Sequence, residues 1–296
     1  MESRHPAIAS PTRTKAIMTA YGLNFKKSLG QNFLTNETLL QQMVAVAEIS
    51  LADDVIEIGP GIGALTEQLA QKAHQVTALE VDQRLLPVLA ETLADYSNIK
   101  VIEQDVLKAD LPALIADSFD GQHQLKVVAN LPYYITSPII KFLLQQPIPL
   151  KTMVVMMQKE VAERLSAVPK TKAYGALSVL VQYQCQAELA ITVPKSFFIP
   201  QPQVDSAIVK LVKREEVISP VNSWRLFVKV VQGCFAHRRK NLGNNLLSIV
   251  GKQKMNKEQA AEFLAEMKLS ARMRAEELTV GQFVELTNQL QIKGVL

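Results

Sequence analysis

Short apolar runs of strand length alternate with longer amphipathic stretches through the first part of the chain. VIEIG (55–59), QVTALEV (75–81), IKVIEQD (99–105) and LKVVAN (125–130) predict four strands, and ALTEQLAQKA and QRLLPVLAETLA between them predict helices. This alternation is that of a doubly wound parallel sheet. TMVVMMQ (152–158) adds a fifth strand. QAELAITV (186–193) and SAIVKLV (206–212) follow with no helix between them, which predicts an antiparallel edge.

After residue 213, beyond the charged KREE and Ser219-Pro220, the pattern becomes purely helical. Trp224, Phe227, Val228, Val231 and Phe235 fall at helical spacing, with Asn222 or Ser223 as the N-cap. The expected organisation is a leader over 1–23, an α/β domain over 24–212 and a small all-α domain over 213–296.

Composition narrows the class. With 296 residues and 48% apolar content the chain can bury a large core and a smaller one. No run reaches membrane-spanning length and the N-terminal stretch lacks a secretory core, so the expected compartment is the cytoplasm. Cys185 and Cys234 stand far apart, and His5, His74, His123 and His237 are scattered, which argues against a disulfide framework and a metal site alike. Both thiols read as buried small apolar groups. The net charge of +4 is modest but uneven: residues 217–257 hold eight basic residues and no acidic one. Such a field suits a polyanion, and Arg238, Arg239 and Lys240 are its densest cluster.

The first chemical motif is EIGPGIGALT (57–66), where Gly59, Gly61 and Gly63 follow a strand and precede a helix. Their backbone can turn tightly and approach a ligand. The spacing G-x-G-x-x-A also fits a dinucleotide site. Glu80 ends the second strand, where a carboxylate can take both hydroxyls of an adenosine ribose. Asp105 ends the third, within reach of an adenine amine. These groups suit NAD and S-adenosylmethionine equally.

The fourth strand separates the two. It runs into VVANLPYYITSP (127–138), a stiff way to present one amide and one ring. An adenine N6 amine is a poor nucleophile because its lone pair is delocalised, so alkylating it requires acceptors aimed at its protons. The Asn130 side-chain carbonyl and the Leu131 backbone carbonyl can serve together, because Pro132 biases Leu131 away from helical geometry. Tyr133 offers a face on which a base stacks. A nicotinamide enzyme needs no such clamp. Phe198, before Pro200 and Pro202, reads as a second aromatic wall opposite Tyr133 or as core.

With KKSLGQNFL (26–34), LEVD (79–82), QDVL, MQKEVAERL (157–165), KAYGALSV (172–179), FIPQPQVDSAIV (198–209) and FAHRRKNLGNNL (235–246), the chain resembles the S-adenosylmethionine-dependent ribosomal RNA adenine N6-dimethyltransferases, from about Asn24 to Leu247. FAHRRKNLGNNL and the long helical C-terminus favour the branch acting on small-subunit (16S) RNA. The resemblance implies a Rossmann-like methyltransferase domain with a mostly parallel seven-stranded sheet. It implies Asn32, Leu34, Gly59, Glu80, Asp105 and Asn130 around S-adenosylmethionine, and Asn130, Tyr133 and Phe198 around the target base. It further implies dimethylation of two adjacent adenosines near the 3′ end of that RNA, by a monomer acting in small-subunit biogenesis. Leu131, where the wider amino-methylating group often has Pro, suits the RNA dimethylases.

Direct in-line transfer needs no covalent intermediate, and neither cysteine lies in a strand-end motif. Three alternatives stay open: a large-subunit (23S) dimethylase of the antibiotic-resistance kind, a nicotinamide oxidoreductase, and a noncatalytic RNA-binding assembly factor.

Overall fold

A computed structural model describes residues 6–23, 32–251 and 253–296. Seven strands form one sheet: β1 (Asp53–Ile58), β2 (Gln75–Glu80), β3 (Ile99–Glu103), β4 (Gln124–Asn130), β5 (Leu150–Gln158), β6 (Cys185–Val193) and β7 (Ser206–Lys213), in the order β3-β2-β1-β4-β5-β7-β6. The pairs among β3, β2, β1, β4 and β5 are parallel, and β7 joins β5 antiparallel. Strand order reverses between β1 and β4, so a crevice opens outside their carboxyl ends, where doubly wound sheets take their ligands. All six residues of β1 are buried, as a central strand covered on both faces must be. It opens on two acids, Asp53 and Asp54, and Glu57 is the acid inside the apolar stretch 55–58.

Helices cover the faces of the sheet: α1 (Pro11–Ala20), α2 (Glu37–Val46), α3 (Ala64–Ala70), α4 (Leu86–Thr92), α5 (Leu111–Ser118) and α6 (Thr136–Gln145). Of the stretch expected as a leader, the described residues 6–23 are packed rather than loose. Ile8 and Ala9 are fully buried in the main core, and the Ile8 N–H donates to Glu67 of α3 at 2.9 Å. A two-residue antiparallel ladder pairs Phe33 with Ile199 and Leu34 with Phe198.

The chain divides into two compact units, one of Met1–Ala162 with Ala187–Lys213 and the other of Glu163–Gln186 with Arg214–Leu296. The expected boundary near 213 is therefore incomplete, because Glu163–Gln186 groups with the helical C-terminal unit. The reason is packing: Tyr174, Val179, Leu180 and Tyr183 share one buried cluster with Phe227, Val231 and Phe283. The helical unit contains α8 (Ala176–Gln184), α9 (Trp224–Phe235), α10 (Leu242–Val250), α11 (Lys257–Glu266) and α12 (Val280–Ile292), while α7 (Lys159–Ser166) spans the division. Ser223 is the N-cap of α9, accepting the Leu226 N–H. Both cysteines are buried, and burial pushes the Cys234 thiol up to about 12, far from any nucleophilic role. No described helix is long and apolar enough to cross a membrane.

Candidate active site

A cleft opens at the carboxyl ends of β1, β2 and β4. Asn32, Leu34, Gly59, Glu80, Asp105, Asn130, Leu131 and Tyr133 all line it. Residues 26–31 of the KKSLGQNFL motif lie outside the described residues.

The floor is the glycine loop after β1. Gly59 has φ +72°, and a Cβ placed there would meet nothing within 4 Å, so the loop turns left-handed and faces open space. Its N–H donates to the Leu79 carbonyl at 2.9 Å, fastening the loop to β2. Glu80, at the end of β2, accepts N–H bonds from Gly61 at 3.3 Å, Val81 at 2.9 Å and Asp82 at 2.8 Å. Burial pushes its carboxyl above the usual range, and those three donors oppose the rise. Oε1 takes two of these donors and Oε2 only one, so the open lone pair for a ligand hydroxyl is on Oε2. Asp105 lines the same edge while capping the turn after it, accepting the Leu107 N–H at 3.0 Å.

Glu57 is a residue that sequence reasoning missed, although an acid inside the run VIEIG was the available signal. It lines the cleft at 1% exposure, and burial pushes its carboxyl up to about 8, the nearby Thr66 hydroxyl opposing the rise and the Glu80 charge adding to it. Its Oε2 is buried with no hydrogen-bond partner among the described residues. A buried acceptor left open beside a cleft fits a ligand bearing a cationic amine.

The wall is the Asn-Leu-Pro-Tyr turn after β4. The Leu131 N–H donates to the Met156 carbonyl at 3.0 Å, and the Thr136 hydroxyl donates to the Pro132 carbonyl at 2.9 Å, so the turn is held at both ends. The Asn130 amide nitrogen donates to the Asn32 carbonyl at 3.5 Å. Its donor end is thereby committed, and its acceptor end is the one a ligand amine can use. The Tyr133 hydroxyl lies 2.6 Å from the Ser206 hydroxyl. Tyr134, beside it, is 55% exposed at the cleft.

Phe198 departs from its expected place. It is 3% exposed, sits in the main core with Phe33 and Ile208, and does not line the cleft. Its backbone pairs with Leu34 in the two-residue ladder. Arg238 also differs from a free surface cation. Its guanidinium donates to the carbonyls of Lys172 at 2.9 Å and Tyr174 at 3.3 Å, and pairs with Glu276 at 3.2 Å. Arg239 and Lys240 are exposed.

A mostly parallel sheet with β7 antiparallel to β5, and with its cleft at the strand-order switch, is a Rossmann-like methyltransferase fold. The chain matches the ribosomal RNA adenine dimethylase family over residues 22–291 and belongs to it. It is 56% identical over 295 residues to the ribosomal RNA small subunit methyltransferase A of Ligilactobacillus salivarius (strain UCC118), covering 100% of both chains. It is 51% identical over 284 residues to the protein of the same name from Geobacillus sp. (strain WCH70), covering 96% of this chain and 98% of that one. Among solved structures, a dimethyladenosine transferase from Plasmodium falciparum superposes with TM-score 0.74 at 27% identity, over 88% of this chain and 98% of that one. The 23S rRNA methyltransferase ErmE superposes with TM-score 0.64 at 28% identity, over 88% and 100%. The chain is thus an RNA-modifying enzyme.

Proposed function

We propose that this enzyme transfers methyl groups from S-adenosylmethionine to N6 of two adjacent adenosines near the 3′ end of 16S ribosomal RNA, dimethylating each during small-subunit assembly. The observation that carries the reading is the braced turn from Asn130 to Tyr133 beside the acid-lined cleft, together with the names of the full-length relatives. On this reading the enzyme works in the cytoplasm as a monomer.

S-adenosylmethionine fits the residues present. Glu80 would take the ribose hydroxyls, Asp105 the adenine amine, the loop at Gly59 the close approach of the ligand backbone, and the open Glu57 oxygen the cationic amine. Asn32 and Leu34 would cover it. Bound there, the sulfonium supplies an electrophilic methyl group. The chain's own part is to hold the target adenine: Asn130 Oδ1 and the Leu131 carbonyl accept from N6, raising electron density on a nitrogen whose lone pair is otherwise drawn into the ring. Tyr133 holds the base by stacking, with its hydroxyl on Ser206 fixing the ring. Phe198 acts through Leu34 as a positioning residue. Adenosines in an exposed loop are cheap to extrude into such a cleft.

The test is incubation with labelled S-adenosylmethionine and unmethylated small subunits, followed by nucleoside identification and primer extension. Label in N6-dimethyladenosine at adjacent positions supports the reading, and label on cytosine or none at all overturns it. The likeness to ErmE favours a second reading, a 23S adenine target, and primer extension on both RNAs decides between them.

A further inference from the structure

At the end of the sheet opposite the cleft, three residues far apart in sequence come together. Asp54 in β1 pairs in register with Gln75 of β2 on one side and Leu125 of β4 on the other. His74 and His123, just before those partners, are thus delivered to either side of the Asp54 carboxylate. The His74 Nδ1 lies 2.8 Å from Asp54 Oδ1, and the His123 Nδ1 lies 4.0 Å from Asp54 Oδ2. The two imidazoles stack with centroids 3.7 Å apart. Asp54 is 2% exposed, whereas the histidine side chains are 40% and 21% exposed. A fourth donor adjoins: Asp120 Oδ1 lies 3.1 Å from His123 Nδ1.

We propose that Asp54, His74 and His123, with Asp120 beside them, form a site for one borderline divalent cation of the zinc type. Donor atoms from the first three lie within 4.8 Å of one another. A cation about 2.0–2.1 Å from nitrogen and about 2.0–2.2 Å from oxygen draws such donors to within roughly 4 Å of each other, so a small splaying of the stacked rings completes the set. The rings are exposed enough to make it. Two imidazoles with carboxylates select zinc, nickel or cobalt over magnesium and calcium, which prefer oxygen alone. Bound there, the ion ties together the starts of three neighbouring strands. Asp54 stands four residues before Ile58, about 13 Å along the strand from the cleft, so the role is structural and not part of methyl transfer.

The experiment is calorimetric titration of the chelator-stripped full chain with zinc chloride alone, alongside melting curves. The expected result is one zinc per chain and a raised melting temperature, with His74→Gln and His123→Gln each weakening binding at least about tenfold, no less than the loss of an outer-shell partner costs. Methyl transfer should be the same with and without zinc. A cobalt(II) titration of the unaltered chain needs no variant and should give visible bands without thiolate charge transfer. Absence of binding, zinc affinity unchanged in both variants, or a thiolate band would each overturn the proposal.

Discussion

The Tyr133 hydroxyl lies 2.6 Å from the hydroxyl of Ser206, a fully buried residue at the start of β7. The Tyr133 ring, which the proposed function assigns to the target base, is thus anchored to the strand beside β5, and its tilt is set by the sheet rather than by the turn alone. Tyr133→Ala should lose far more turnover than S-adenosylmethionine affinity, because the ring serves the base. Ser206→Ala should lower turnover less, by the roughly 0.5–1.5 kcal/mol of one neutral hydrogen bond. Single-turnover kinetics with parallel cofactor titrations separate the two, and a matched loss of cofactor binding in Tyr133→Ala would move the ring out of the base site.

Glu57 makes the stability of the fold depend on pH. Its carboxyl is pushed from 4.5 up to about 8 in the folded chain, so between those values the native state holds a proton that the unfolded chain has released. The associated stability is fully present below about 4.5 and is lost as pH rises through 8. Glu57→Gln removes this dependence. Relative to the parent it should gain stability between pH 5 and pH 8, by at most about 4 kcal/mol at 1.36 kcal/mol per pH step. Urea midpoints measured across that range check it, and a stability difference that stays flat with pH would count against a protonated Glu57.

Phe198→Ala tests where that ring belongs. As a core residue paired to Leu34, its removal should cost about 3–5 kcal/mol of stability and weaken cofactor binding along with turnover. A variant with the parental melting temperature that loses only turnover would return the ring to the target base.

The basic cluster divides in two. Arg238 is tied to Lys172, Tyr174 and Glu276, so Arg238→Ala should lower the melting temperature. Arg239→Ala with Lys240→Ala should leave folding alone and flatten the log-log salt dependence of RNA binding by roughly 1.4–1.8, at about 0.7–0.9 per phosphate contact. Filter binding at several salt concentrations gives the slope, and an unchanged slope would make both residues ordinary solvated cations.

What sequence alone could reveal follows from how local each signal is. The strands were legible because alternation and turn residues are written within a few positions: IKVIEQD and LKVVAN coincide with β3 and β4 to within two residues. The glycine loop, Glu80, Asp105 and Asn130 were legible for the same reason, since each ends a strand on one edge. Phe198 was not, because its fate depends on Leu34, a pairing that no local pattern records. Arg238 looks like its neighbours in sequence and differs only through carbonyls more than sixty positions away. The segment Glu163–Gln186 reads as part of the α/β pattern, yet its apolar residues match the helical core. Scattered histidines looked inert until the register of β1 brought two of them to one carboxylate.

The ladder beside the cleft also has a consequence in time. Thr35 and Phe197, joined by a 2.8 Å backbone hydrogen bond, stand 162 residues apart. Closing so long a loop carries an entropic cost that only the nearly finished sheet can offset. Synthesis runs from the N-terminus, so the glycine loop and its acids emerge from the ribosome well before Phe198, the ladder partner of Leu34. A nascent chain still short of Phe197 therefore carries most of the cleft-lining side chains yet lacks the ladder beside them, which forms only when the last strand of the sheet is about to be made.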